Sequence, residues 1–326
     1  ADHRELHSFP TRRSSDLSPS IRVGTDGRPR MSYIEWAGSN RLVRFAIRGA
    51  GGGWTVETAH TMSHPSTGLA WGWCSLALDT SNGPNISFED VDSFDTRYAY
   101  KSGSTWIKIT VDSSANETGR VNAIEMDSLN RRYIAYTDDT ADSVKIAFQT
   151  GSGWLFETVA SNSSPFKCLN VDVAPDGTIG VGFADGGLFS GSRMLVYRRI
   201  GGAWTLRSIS GDGYWVNGAF AFDNTGAIGI AAGGDGAAAL SLNHYAISSA
   251  GVVVSQLVDS GGPMGQDSLG VSLDGQIVVL SAGRAQQLWL EGTSAFGGFV
   301  TRGPGEYRYA DRSEERRVGK ECRSRW

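Results

Sequence analysis

Apolar and polar residues alternate along this chain in short runs, such as Val43-Arg44-Phe45-Ala46-Ile47 and Val144-Lys145-Ile146-Ala147-Phe148. A two-residue period is that of a strand, whose successive side chains point to opposite faces. No stretch sustains the 3.6-residue period of an amphipathic helix, and glycine, asparagine and aspartate punctuate the runs. Ile179-Gly180-Val181-Gly182-Phe183 and Ala227-Ile228-Gly229-Ile230-Ala231 have no polar side at all. Strands of that kind are buried on both faces. The pattern predicts an all-β chain of short strands packed between neighbouring sheets.

The runs also repeat. Gly151-Ser152-Gly153-Trp154-Leu155-Phe156-Glu157-Thr158 has near-copies at Gly51-Gly52-Gly53-Trp54, Gly103-Ser104-Thr105-Trp106 and Gly201-Gly202-Ala203-Trp204. A worn copy runs from Gly251 to Val258, with Val253 in the tryptophan's place, and a last one ends at Phe299. The interval is about fifty residues throughout, a repeat length typical of propellers and solenoids. In the second unit Cys74 to Leu78 reads as a strand, Asp79 to Gly83 as a turn, and Pro84 to Phe88 as a strand. An acidic loop, Glu89 to Asp95, follows, then a strand from Thr96 to Tyr100, a tight turn, and the strand carrying Trp106. The first turn recurs at Asp26-Gly27, Asn82-Gly83, Asn130-Arg131, Asp176-Gly177, Thr225-Gly226 and Asp274-Gly275, which marks six units. Four antiparallel strands in each such unit is the pattern of a β-propeller blade. The expected architecture is a single propeller over residues 18–303 with six blades, and a truncated seventh blade beginning at Gly303 stays open.

Both ends look foreign to that repeat. His7 to Leu17 resembles the conceptual translation of a DNA-sequencing adapter, and Arg312 to Cys322 resembles the translation of its reverse complement. One oligonucleotide and its complement can encode both peptides, so residues 1–17 and 312–322 are expected to be disordered artefacts, the latter within a tail at 304–326. The net charge is −4, more negative without those ends, which leaves no basic stripe for nucleic acid. No apolar run has the length of a membrane span. Cys74 and Cys168 hold the same place in two units that are not neighbours, too far apart for a disulfide, and both are expected to be buried thiols.

The residues Ser75-Leu76-Ala77-Leu78-Asp79, Asn82-Gly83-Pro84-Asn85-Ile86-Ser87-Phe88-Glu89-Asp90, Arg97-Tyr98-Ala99-Tyr100 and Trp106 carry a resemblance. They resemble a family of bacterial and archaeal propeller repeats that read Ser-Leu-Ala-Leu-Asp-x-x-Gly-x-Pro-His-Ile-x-Tyr-x-Asp, then Leu-x-Tyr-Ala and Gly-x-Trp. The resemblance implies a propeller in a large secreted or surface protein and leaves its activity open. A more distant likeness is to sialidase-type propellers, whose Ser-x-Asp-x-Gly-x-Thr-Trp box and Arg-Ile-Pro signature this chain lacks.

In a propeller, the links from a fourth strand to the next first strand open on the same face as the links between strands two and three. The first set is expected to hold Trp71, Trp73, Phe166, Tyr214, Trp215 and Met264. The second holds Glu35, Trp36, Glu89 to Asp95, Asp138, Asp139, Asp142, Asp185, Asp235 and Arg284. Aromatic rings beside carboxylates suit a sugar, whose C–H faces stack and whose hydroxyls need polar partners. Trp71, Trp73, Tyr214, Trp215, Trp36, Asp90, Asp138 and Asp185 are therefore the candidate ligand contacts. Asp90, Asp92, Asp95, Asp138 and Asp142 are a weaker candidate set for calcium, against the plainer reading of a solvated acidic loop or of turn caps. Trp54, Trp106, Trp154 and Trp204 recur in unit after unit and read as packing between blades. No catalytic constellation stands out, and Glu89, Asp90 and Asp138 are the only evident pool of paired carboxylates. The sequence points to a monomeric, extracellular or surface binding or display module for carbohydrate. A glycan-cleaving enzyme of sialidase or lyase type and a structural or protein-binding spacer are the alternatives.

Overall fold

The computed structural model describes residues 19–63, 73–151, 153–162, 169–185, 192–222, 226–236, 239–248, 251–259, 279–280, 286–289, 291–292, 295–296 and 300–302. The chain is all-β and is built from repeated four-stranded antiparallel sheets. The first sheet is β1 (Ser20–Val23), β2 (Pro29–Ala37), β3 (Asn40–Arg48) and β4 (Trp54–Ser63), hydrogen-bonded in chain order. The second is β5 (Cys74–Leu78), β6 (Pro84–Asp90), β7 (Asp95–Ser102) and β8 (Thr105–Asp112). The third is β9 (Thr118–Met126), β10 (Arg132–Asp138), β11 (Ser143–Thr150) and β12 (Gly153–Ser161).

The fourth and fifth sheets share a strand. β13 (Leu169–Val173), β14 (Ile179–Asp185) and β15 (Ser192–Ile200) lead to β16 (Ala203–Phe222), which continues into β17 (Ile228–Gly236), β18 (Ala239–Ile247) and β19 (Val253–Asp259). The first part of β16 closes the fourth sheet and its second part opens the fifth. Tyr214 and Trp215 were expected in an interblade loop; instead they lie inside this strand. Gly213 still pairs with Ser192 of β15 while Tyr214 already pairs with Asp235 of β17, so the ladder passes from one sheet to the next with no loop between. Their side chains lie outside the described part. β20 (Val279–Leu280), β21 (Gln286–Trp289) and, after the short hairpin of β22 (Glu291–Gly292) and β23 (Ala295–Phe296), β24 (Val300–Arg302) form a three-stranded sheet at the place of the sixth unit. Both terminal segments, and the residues that bear on a seventh blade, lie outside the described residues.

Hydrophobic clusters lie between successive sheets. Ile34, Val43 and Phe45 of the first sheet pack on Leu76, Ile86 and Phe88 of the second, and the opposite face of the second brings Ala77, Tyr98 and Val111 onto Ile124, Ile134 and Tyr136. The same interleaving joins the third sheet to the fourth and the fourth to the fifth. Both faces of an inner sheet are therefore apolar, which is why its strands lack a polar side. Gly180 and Gly182 mark the tightest approach: a Cβ there would fall 2.8 Å and 2.5 Å from the Phe220 ring.

Three of the four recurrent tryptophans seal seams between sheets, whereas Trp54, expected to do the same, is exposed on β4. The Trp106 ring meets Phe45 edge-on at 5.6 Å, and its Nε1 donates to Glu57 of the first sheet at 3.0 Å. Trp204 Nε1 donates to Glu157 of the third sheet at 3.0 Å. Trp154 packs edge-on against Tyr98 of the second.

The first turn is more subtle than its spelling. The left-handed position falls on Asn82 (φ 65°) and Asn130 (φ 59°), where other units have Gly27, Gly177 and Gly226. Gly83 is the next residue, where a Cβ would fall 2.4 Å from the Asp79 carboxylate that receives its N–H. Asparagine tolerates this backbone region, and here it also joins blades: Asn82 Oδ1 accepts from the Thr25 amide and Asn130 Oδ1 from the Thr80 amide, both at 2.8 Å.

Candidate functional site

Among the described residues, two links from a fourth strand meet the turn between a second and a third strand. Ser63, at the end of β4, donates its amide to Asp92 in the β6–β7 turn, and Asn116, between β8 and β9, donates to Asp138 at the end of β10. The acidic loop expected over Glu89 to Asp95 is shorter than its composition suggests. Glu89 and Asp90 belong to β6, paired with Thr96 and Asp95, and the turn is closed by the Ser93 and Phe94 amides on the Asp90 carbonyl. Packing of Val91 into the core pulls the segment inward, so Glu89 and Asp90 are buried rather than solvated.

The acidic ends of the second strands are held inside their own sheets. Arg44, Arg97 and Lys145 occupy one place on β3, β7 and β11 and meet Glu35, Asp90 and Asp138: Arg44 Nε to Glu35 at 2.7 Å, Arg97 Nε to Asp90 at 2.8 Å, Lys145 Nζ to Asp138 at 2.5 Å. Burial alone would raise the Asp138 pKa, but Lys145, Asn116 and the Ala141 amide outweigh it and hold the carboxyl below the ordinary range. In Asp90, burial is likewise outweighed, by His60, the Asp92 amide and Arg97. Asp185 is half-buried at the end of β14, opposite Arg193 in the ladder. Asp92 and Asp142 are exposed and Asp95 is half-buried. Among the described residues no group of three or more histidine, cysteine or acidic side chains is arranged to hold a metal.

Of the aromatic candidates, Trp36 is half-buried with the guanidinium of the fully buried Arg41 4.0 Å above its ring centroid. Trp73 is half-buried at the entry to β5, and its carbonyl accepts from Asn122 at 3.0 Å. Trp71, Phe166, Met264 and Cys168 lie outside the described residues. Cys74 is a buried free thiol whose pKa is pushed by burial to about 12.

What the structure gathers is a polar seam between the second and third sheets, at the face that bears these loops. Ser87 Oγ donates to Asn122 Oδ1 at 2.6 Å, and Asn122 Nδ2 reaches the carbonyls of Trp73 and Gly119. Gly119 has φ 86°, and a Cβ there would sit 2.6 Å from Thr96 Oγ1, so only glycine lets β9 come this close to β7. Above it the loops are fixed: Thr118 Oγ1 accepts from the Thr96 amide, the Asp139 amide donates to the Glu117 carbonyl, and Arg120 Nη2 meets Asp139 at 3.1 Å.

Glu89 opens into this seam from β6. It is 5% exposed, and its Oε2 is buried without accepting a hydrogen bond among the described residues. Burial pushes its pKa up to about 7, helped by Asp139 and Glu117 and opposed by Arg120 and Arg41. The pool of Glu89, Asp90 and Asp138 is thus divided: Asp90 turns to His60 of the first sheet, while Glu89 senses Asp139, Arg120 and Glu117 beside the third sheet and Arg41 of the first. Sequence reading missed Arg120, Asn122 and the strand-three cations. The cations had a signal, a basic residue at one place in three consecutive units; Arg120 and Asn122 had none.

No family model matches this chain, and no curated protein matches it. Its fold does match solved structures. SapL1 lectin, in complex with alpha methyl fucoside, aligns over 89% of this chain and 96% of its own with a TM-score of 0.54 at 13% identity. A fucose-specific lectin from Aleuria aurantia aligns over 90% and 97% with a TM-score of 0.55 at 13% identity. The polysaccharide lyase Uly1 aligns over 90% and 82% with a TM-score of 0.55 at 10% identity. These likenesses are distant and establish a β-propeller fold.

Proposed function

We propose that the protein is a carbohydrate-binding propeller, with its site in the polar seam between the second and third sheets. The observation that carries this reading is Glu89, a buried carboxylate with one oxygen that accepts no hydrogen bond among the described residues, beside a built lattice of Asn122, Ser87, Arg120 and Asp139. A buried acceptor without a donor costs on the order of 1–3 kcal/mol, and a sugar hydroxyl would supply that donor. Trp73 at the edge offers a ring for sugar C–H groups. That two of the similar folds are fucose-binding lectins supports the class of ligand. The repeats it resembles support a role outside the cell or on its surface, where we propose that it acts as a monomer.

The test is binding of the full chain to a broad glycan panel. Binding to at least one glycan, weakened tenfold or more by Glu89→Gln, is expected. Silence across the panel with folded protein, or an unaffected variant, overturns the reading. A second reading, glycan cleavage, is favoured by the raised pKa of Glu89, which keeps a proton near neutrality beside Asp139 and Glu117 as a general acid requires. Release of new reducing ends from a bound glycan, abolished in Glu89→Gln, would establish it.

A further inference from the structure

Resting on the carbohydrate reading, we infer that the ligand group meeting Glu89 is a hydrogen-bond donor, a hydroxyl or an ammonium, so that the seam takes neutral or amino sugars and rejects carboxylated ones. The argument is one of unfilled valence and committed charge. The buried Oε2 of Glu89 accepts nothing among the described residues, and an ionised carboxylate is an acceptor only. A ligand carboxylate would bring two more acceptors to an atom that needs a donor. Of the two nearby cations, one is paired with a carboxylate and the other is fully buried. Arg120 is spent on Asp139 at 3.1 Å, and Arg41 is fully buried with its guanidinium over Trp36. Glu117 and Asp139 add negative charge on the same side. Like charges brought into a water-poor site repel far more strongly than in bulk water. Because Glu89 takes up a proton near neutrality, the exclusion is sharpest above pH 7, where it is ionised, and softens below pH 6.

The experiment compares one polysaccharide in two forms, a polyuronate and the same polymer with its carboxyl groups reduced to alcohols, together with chitosan oligosaccharides and a panel of neutral oligosaccharides. Binding to the full chain is measured at pH 8 and pH 5.5. The expected result is at least tenfold tighter binding of the reduced, neutral or amino probes at pH 8, with the gap narrowing at pH 5.5. Glu89→Gln should erase the discrimination. Asp139→Asn, which removes one of the negative charges beside Glu89, should narrow the discrimination against the polyuronate; this second variant keeps the test informative if Glu89→Gln misfolds. Equal or tighter binding of the polyuronate at pH 8, sensitive to Glu89→Gln, would overturn this inference and leave the carbohydrate reading standing. Preference for uncharged probes that neither variant changes would move the site away from the seam and overturn the inference. No binding by any probe would overturn both.

Discussion

Arg22 on β1 and Glu125 on β9 meet at 3.2 Å although a whole sheet separates their strands in the chain. Each lies five residues before the left-handed residue of its first turn, Gly27 and Asn130; the matching residue of the second sheet is Ala77, which offers no charge to compete. In the fourth sheet the same place holds Asp172, buried, with its carboxylate accepting the amides of Val173 and of Phe222 on β16. The inner strands of the first, third and fourth sheets are thus coupled by charge as well as by packing.

That coupling has a pH signature. Burial, helped by Glu125 and opposed by the Phe222 and Val173 amides and by Arg22, raises the Asp172 pKa to about 7. Glu89 rises to about 7 for its own reasons. Both acids hold protons more tightly in the folded than in the unfolded chain, so their contribution to stability is complete below about pH 4 and is lost as pH climbs through 7. Chemical denaturation should show stability falling between pH 5 and pH 8, by on the order of a few kcal/mol. Glu125→Gln should shift the Asp172 titration, followed by carboxyl NMR, to lower pH. A flat profile would remove the coupling.

The ion pair of Asp138 with Lys145 is buried at the carboxylate end. Lys145→Met should destabilise the protein by about 3–5 kcal/mol, because it strands a buried charge. Adding Asp138→Asn should recover much of that loss. Urea melts of the two variants decide it; a single variant within about 1 kcal/mol of the parent would mean that water already solvates Asp138.

At the outer seam, Glu157 receives Arg199 and the indole N–H of Trp204, and Arg199 first, then burial in the opposite sense, sets its lowered pKa. Its contribution exists above the ordinary glutamate range and is lost as pH falls through the folded value. Glu157→Gln should cost about 1 kcal/mol and shift the Trp204 emission to the red. Unchanged emission in the variant would show that the indole does not depend on this acceptor.

Gly119→Ala should be worse than its single methyl suggests. It forces a side chain onto φ 86° and against Thr96, and a cost of about 2–3 kcal/mol is expected from thermal melts. Because Asn122 bonds the Gly119 carbonyl, glycan binding should fall with it.

The repeat of a tryptophan strand and a turn every fifty or so residues was enough to determine the all-β class, the four-stranded unit and the role of Trp106, Trp154 and Trp204 as seals between blades, but not that of Trp54, which is exposed. Those features are local: strand period, turn chemistry and the recurrence of one ring are written in consecutive residues. The same locality misjudged Glu89 and Asp90, because acidic composition predicts solvent and only the packing of Val91 draws the turn inward. It also placed Tyr214 and Trp215 in a loop, since nothing in a single segment announces that one strand will serve two sheets. The polar seam was beyond the sequence altogether. Glu89, Asn122 and Asp139 come from different strands and a turn, and it is the stacking of one blade on the next that brings them to one place and leaves an oxygen of Glu89 without a donor among the described residues.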